Sequence, residues 1–308
     1  MKDNFKKYFS IILTIFFLVF LIIYIFTNID SFKHSLDIRP IYIIPISLLI
    51  LISLYINGIA LNLYTKPFNL YIKEHFQMSL STSFLNLITP FRGGMGFRAL
   101  YLKKKYNFSY SKFASSLLGN YVIIFIIISF LGILASLYFL IKEKIFVSNF
   151  FAFFLIIFLI TLFSIFTNFR FKKEFRILKT FNNVMDGFDT LKKDKKTLIL
   201  ICFFTLLNIF ILTLINYLVF IGLGEKISYF ESSFLSLINT LSTFINITPG
   251  SLGITEAFYF MSAKSLSIST ETSVLASLII RAINALILIT TGTWSYINIT
   301  RNIKQKNT

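Results

Sequence analysis

The sequence predicts an all-α polytopic membrane protein with six transmembrane helices and two re-entrant broken-helix hairpins that form an inverted repeat. Three observations lead there. Hydrophobic residues make up 56% of the 308 residues, 39 of them Phe, while charged residues make up only 14%. The apolar residues run without a polar face over stretches of about 20 residues, the length at which a helix crosses a bilayer. Nothing alternates at a period of two, as the strands of a membrane β-barrel do. A soluble globular domain is excluded by the same runs.

Taken in order, the basic start MKDNFKKYFS precedes an apolar stretch at Ile11–Ile29. No small-residue cleavage site follows it, so it is read as a retained first span and not as a signal peptide. Further spans are expected at Ile41–Leu63, Phe113–Ile141, Phe150–Phe169, Leu198–Leu223 and Val274–Ile299. Two other stretches, Phe76–Leu102 and Phe230–Ser265, are moderately apolar but interrupted by Ser, Thr, Asn, Pro and clustered Gly. Pro removes a backbone donor and Gly accepts positive φ, so Pro90, Gly93, Gly94 and Gly96, like Pro249, Gly250 and Gly253, mark places where a helix breaks.

The two interrupted stretches match each other. Asn86–Pro90 and its glycines align with Asn246–Pro249 and its glycines, Ala99-Leu-Tyr101 with Ala257-Phe-Tyr259, and Ala114–Leu118 with Ala276–Ile280. This gives a single membrane domain, 1–308, with a first repeat at 41–141 (re-entrant 76–102) and a second at 198–299 (re-entrant 230–265). The competing explanation is that short matches arise by chance in apolar, low-complexity sequence.

Lys and Arg number 30 against 13 Asp and Glu, a formal charge of +17. In a soluble chain that would suggest nucleic acid; here the cations sit in loops between apolar runs, and the positive-inside rule accounts for them without a nucleic-acid partner. With six crossings and two re-entrant hairpins, 23 cations fall on one side and six on the other, while Arg281 lies within the last span. Both termini and the basic loop 170–196 are therefore expected in the cytoplasm, in a multi-pass protein of the cytoplasmic (inner) membrane. Lys103, Lys104 and Lys105 read as plain cytoplasmic anchors. With this topology the first hairpin enters from the cytoplasmic face and the second from the outer face, an arrangement common in secondary transporters.

Ionisable side chains at bilayer depth cost a few kcal/mol, about 3 on insertion scales, and normally have a partner and a task. Arg92 and Arg98 beside the first break, Glu256 beside the second and Arg281 are thus the candidate substrate-binding residues. In one reading Arg98 and Arg281 hold a phosphate while Glu256 balances charge or receives a cationic headgroup. In the other, Glu256 merely neutralises an arginine and ties the hairpins together. His34, His75 and Cys202 form no metal-ligand or nucleophile pattern, and there is no Walker loop or pair of catalytic acids. No enzymatic activity, cofactor or metal is expected.

The segments ThrProPheArgGlyGlyMetGlyPheArgAlaLeuTyrLeu at Thr89–Leu102 and ThrProGlySerLeuGlyIleThrGlu at Thr248–Glu256, with Arg281 downstream, resemble the flippase-like transmembrane family. That family includes the membrane domain of lysylphosphatidylglycerol synthases and its stand-alone relatives. Similar proteins usually carry ProGlyGlyLeuGly at the second motif, from which Ser251 departs. They also often carry an acidic residue near Met95 and a Glu-Arg pair near Gly119 and Asn120, absent in this chain. The resemblance implies a lipid flippase-like transporter that moves a phosphate-bearing lipid, aminoacyl-phosphatidylglycerol-type or polyprenyl-phosphate-linked, between leaflets. It further implies no lipid-synthesising activity in a chain ending at Thr308. Two alternatives stay open: a membrane scaffold or accessory subunit of an envelope-lipid or glycan synthase, and an ion-coupled solute transporter. The oligomeric state is not set by the sequence.

Overall fold

The computed structural model describes residues 39–65, 72–145, 147–166, 191–245 and 247–305, together with 19, 182 and 186–189. The expected first span at Ile11–Ile29 (bar Val19), most of the basic loop 170–196, Asn246 and the last residues of the chain lie outside the described residues. All described secondary structure is helical.

A 3-10 turn at Pro40–Tyr42 leads into α1 (Ile43–Tyr64). Next come α2 (Ile72–Ile88) and α3 (Gly93–Tyr106), then α4 (Tyr110–Tyr138), which continues through a π-turn at Phe139–Glu143, and α5 (Ser148–Phe166). The chain continues as α6 (Lys195–Gly222), α7 (Tyr229–Ser242), α8 (Ile254–Ser265) and α9 (Thr270–Ile287). A second π-turn at Leu288–Gly292 joins α9 to α10 (Thr293–Gln305).

Four segments are long and apolar enough to cross a membrane: Pro40–Tyr64, Tyr110–Glu143, Lys195–Gly222 and Thr270–Arg301. They coincide with four of the expected spans. A fifth, at Phe150–Phe169, is met by α5, whose apolar part Ser148–Phe163 is shorter. Their surfaces explain the all-round hydrophobicity. On α1, Ile44, Leu48 and Ile52 stand exposed one turn apart while Ile46, Ile50 and Leu54 are buried. On α6, Ile199, Phe203, Leu206 and Phe210 form a similar exposed stripe. Water penalises such a stripe by roughly 25 cal/mol per Å² of apolar surface, whereas acyl chains do not. Several hydroxyls within the spans bond to their own helix: Ser136 donates to the Gly132 carbonyl at 2.8 Å and Thr213 to the Ile209 carbonyl at 2.9 Å.

The chain divides into two compact units. The first holds residues up to 54, 77–97 and 209–299; the second holds 55–76, 98–208 and 300–308. In the first unit α7 packs on α8 and α8 on α9. In the second, α4 packs on α5, where the fully buried Phe154 ring lies against the bare Cα of Gly132.

Both interrupted stretches are helix–break–helix elements. Residues 72–106 form α2 and α3 around a break at 89–92; residues 229–265 form α7 and α8 around a break that contains the short 3-10 turn Pro249–Ser251.

Candidate functional site

The first break begins where Pro90 removes a helical donor. Phe91 and Arg92 follow with φ of 53° and 55°, a left-handed step that reverses the chain. The new helix α3 starts with unpaired N–H groups, and the Asn86 side chain on α2 reaches across: its Oδ1 accepts from the Gly94 amide at 3.0 Å. The arms approach so closely that a Cβ on Gly94 would overlap the Thr82 carbonyl. Gly93 faces the Thr89 side chain, whereas Gly96 borders open space and is not sterically required.

The second break uses Thr248-Pro249-Gly250-Ser251-Leu252-Gly253. Gly250, Ser251 and Gly253 take φ of 59°, 57° and 83°. The loop holds itself: the Ser251 amide donates to the Thr248 carbonyl at 3.0 Å, and Thr248 Oγ1 donates to the Leu252 carbonyl at 2.8 Å. At the start of α8, Glu256 folds back so that Oε2 accepts from the Gly253 amide at 2.7 Å. Its other oxygen, Oε1, accepts from Arg281 Nη2 at 2.8 Å and from Ser277 Oγ at 3.4 Å. Arg281 Nη2 also lies 3.4 Å from the Ser251 carbonyl that it faces. Glu256 is buried and Arg281 half-buried, with 18% of the Arg281 side chain and 5% of the Glu256 side chain exposed. Both carboxylate oxygens are thus occupied. The Nε and Nη1 donors of Arg281 have no partner among the described residues.

The two breaks meet within the first unit. Arg92 Nη2 donates to the Thr243 carbonyl at 2.7 Å, and the guanidinium lies 4.7 Å from the centre of the Phe244 ring. Gly250 lies against Leu87, where an added Cβ would sit 3.2 Å from a side-chain methyl. The structure therefore gathers Arg92, Glu256, Arg281 and both Pro-Gly breaks in one unit. Tyr259 is buried and donates its hydroxyl to Asn216 Oδ1 on α6.

Arg98 belongs to the second unit, where it is 5% exposed and donates from Nη1 to Tyr64 Oη at 3.3 Å. Nearby in sequence is a cluster that the sequence reading missed. Glu74, buried on α2, receives the hydroxyls of Tyr101 and Tyr106, the latter at 2.7 Å, and the Lys105 ammonium at 2.9 Å. Lys105 thus does more than anchor the chain. The available signal was Glu74 itself, the lone acidic residue among the eight cations of 66–112.

Comparison with known proteins agrees with these motifs. A family model described as the lysylphosphatidylglycerol synthase TM region matches residues 9–292. No curated protein and no solved structure matches the chain.

Proposed function

From the chain's membership of the lysylphosphatidylglycerol synthase TM region family, a multi-pass membrane family, we propose a lipid flippase-like transporter that carries a phosphate-bearing headgroup between leaflets. In this reading the chain crosses six times, its two broken elements enter as re-entrant hairpins from opposite faces, and the headgroup passes where the breaks meet. The lipid is of the aminoacyl-phosphatidylglycerol or polyprenyl-phosphate kind, and the chain performs no covalent chemistry on it.

The observation that carries the proposal is the Glu256–Arg281 pair beside the second break. A buried ion pair is a poor way to stabilise a fold, because desolvating two charges offsets most of their attraction. Here the arginine keeps two donor positions uncommitted among the described residues, and a guanidinium suits a phosphate by bidentate hydrogen bonding. Glu256 holds the group in place and lowers the cost of a cation at depth. Irregular backbone at bilayer depth is tolerated only against protein or a watery cavity, which supports a polar passage at the breaks.

The test is reconstitution of the purified chain in liposomes with fluorescent anionic lipids, following the labelled fraction reachable by an external quencher. Accelerated exchange is expected. Arg281→Ala should reduce the rate at least tenfold, the loss of about 1.4 kcal/mol or more, and Arg281→Lys should restore only part of it. Failure of the wild-type chain to move any phospholipid or polyprenyl phosphate would overturn the reading.

A further inference from the structure

A column of hydroxyls on α9 leads to the Glu256–Arg281 pair. Ser269, Ser273, Ser277 and Arg281 follow one another at intervals of four, so they lie along one face of the helix. Ser269, the partly exposed N-cap, accepts at Oγ from the Thr272 amide at 3.2 Å and the Thr272 hydroxyl at 2.9 Å, and donates to Glu271 Oε2 at 3.2 Å. Ser277, which is buried, donates to Glu256 Oε1 at 3.4 Å. Between them Ser273 is fully buried, and among the described residues its Oγ has no hydrogen-bond partner. Ser136 and Ser262, also fully buried, each bond to the carbonyl four residues back. A hydroxyl left bare in the interior is costly, and the ordinary remedy is a bound water.

The spacing says what fills the column. Four residues of helix rise about 6 Å, too far for successive hydroxyls to bond directly and the span of one water bonded to both. Hydroxyls bridged by single waters form a file along which each oxygen accepts one proton and releases another. A carboxylate stands at each end, the partly exposed Glu271 and the buried Glu256. We infer that this file carries protons from Glu271 to Glu256 and couples proton uptake there to phosphate uptake by Arg281. The inference rests on the proposed transport of phosphate-bearing lipid and names the ion coupled to it; on the six-crossing reading, Glu271 opens on the outer side. The guanidinium supplies the coupling. Its two bidentate grips, end-on through Nη1 and Nη2 and side-on through Nε and Nη2, both need Nη2, which Glu256 Oε1 holds at 2.8 Å. A proton added to that carboxylate, with only O–H bonds broken and formed along the file, cancels its charge and releases Nη2, and the phosphate takes over as counter-charge. Each uptake therefore favours the other by the same factor. Of the helices packed around α8, α9 brings Arg281 and Glu271, while α7 brings the exposed Tyr229 and Glu231, whose carboxylate caps the Ser228 amide. On α8 itself Tyr259 donates to Asn216 and Lys264 is exposed, and Arg92 of the first break holds the Thr243 carbonyl. Arg281 is thus the charge that answers a proton on Glu256.

The experiment follows the purified full chain in nanodiscs by time-resolved infrared difference spectroscopy after flash release of protons. A carboxylic-acid carbonyl band should appear in the wild-type chain and be absent from Glu256→Gln. Ser273→Ala should slow the rise of that band at least tenfold without changing its final height, and Glu271→Gln should slow it as well. A purely structural Ser273 has no bond to lose, so on that reading Ser273→Ala changes nothing. Fluorescence of Trp294 during heating checks that each variant is folded. In liposomes, acidifying the outer buffer should speed exchange of fluorescent phosphatidylglycerol at least threefold for the wild-type chain and leave Glu256→Gln unchanged. No band belonging to Glu256, or wild-type kinetics in Ser273→Ala, would overturn the inference. Exchange that ignores outer pH would overturn the coupling, and exchange that follows sodium instead would assign the coupled ion to a metal cation. The two proposals fail separately: a Glu256 band without lipid exchange would sink transport and leave the proton file standing, whereas exchange without the band would do the reverse.

Discussion

The two breaks solve one problem with different chemistry. Each carries a Thr-Pro step after its first helix, directly after Ile88 in one and six residues after Ser242 in the other, turns through left-handed residues, and starts a new helix whose first amides need an acceptor. At the first break that acceptor is neutral, the Asn86 amide oxygen on the Gly94 N–H. At the second it is the Glu256 carboxylate on the Gly253 N–H, and the charge then requires Arg281. Capping alone therefore does not call for an ion pair. The contrast separates what the turn needs from what the second break additionally carries, and the surplus is a half-buried arginine with donors to offer.

Charge removal should break the symmetry of that comparison most strongly. Glu256→Gln keeps an acceptor for the Gly253 amide but leaves the half-buried Arg281 without a counter-charge. A cost of about 3 kcal/mol is expected, at the low end for a broken buried pair because Arg281 is partly exposed. Glu256→Gln with Arg281→Met should regain most of this stability in a denaturant titration while transport stays lost. If the double variant transports, the pair is only a structural tie. At the neutral break the matching change is milder: Asn86→Ala removes a cap and should cost about 1 kcal/mol. Equal losses at the two breaks in the same titration would erase the distinction.

Much of this architecture was legible because bilayer physics writes itself into composition. Uninterrupted apolar runs gave four described spans within a few residues, and Thr-Pro with glycine placed both breaks. Partnership was less legible. The sequence alignment of the two interrupted stretches sets Arg98 against Glu256, yet Arg98 bonds to Tyr64 in one unit and Glu256 to Arg281 in the other. Matching Thr-Pro and glycine motifs mark similar backbone breaks, whereas the side-chain partner depends on which helix packs alongside. Glu74 was overlooked for a related reason: a lone acid in a basic segment looks solvated until folding brings Tyr101, Lys105 and Tyr106 around it. Spacing along α3 puts Tyr101 and Lys105 on one face, but nothing in sequence says that face meets α2.

The smallest effect tests the second turn itself. Ser251 sits at φ 57°, between Gly250 at 59° and the extended Leu252. A side chain in the left-handed region costs roughly 1–2 kcal/mol, while glycine loses 0.5–1 kcal/mol more chain entropy on folding. Ser251→Gly should therefore stabilise the chain by about 0.5 kcal/mol. The Ser251 carbonyl faces Arg281 through the backbone, so the substitution leaves that contact in place and transport should not fall. The same substitution logic fails at the first break, where Arg92 also has positive φ but its side chain holds the Thr243 carbonyl. Arg92→Gly relieves strain and removes that bond together, so it should not stabilise. Unfolding titrations of the two variants side by side check this, and a gain at Arg92 as large as that at Ser251 would mean that the Arg92–Thr243 contact contributes nothing to joining the breaks.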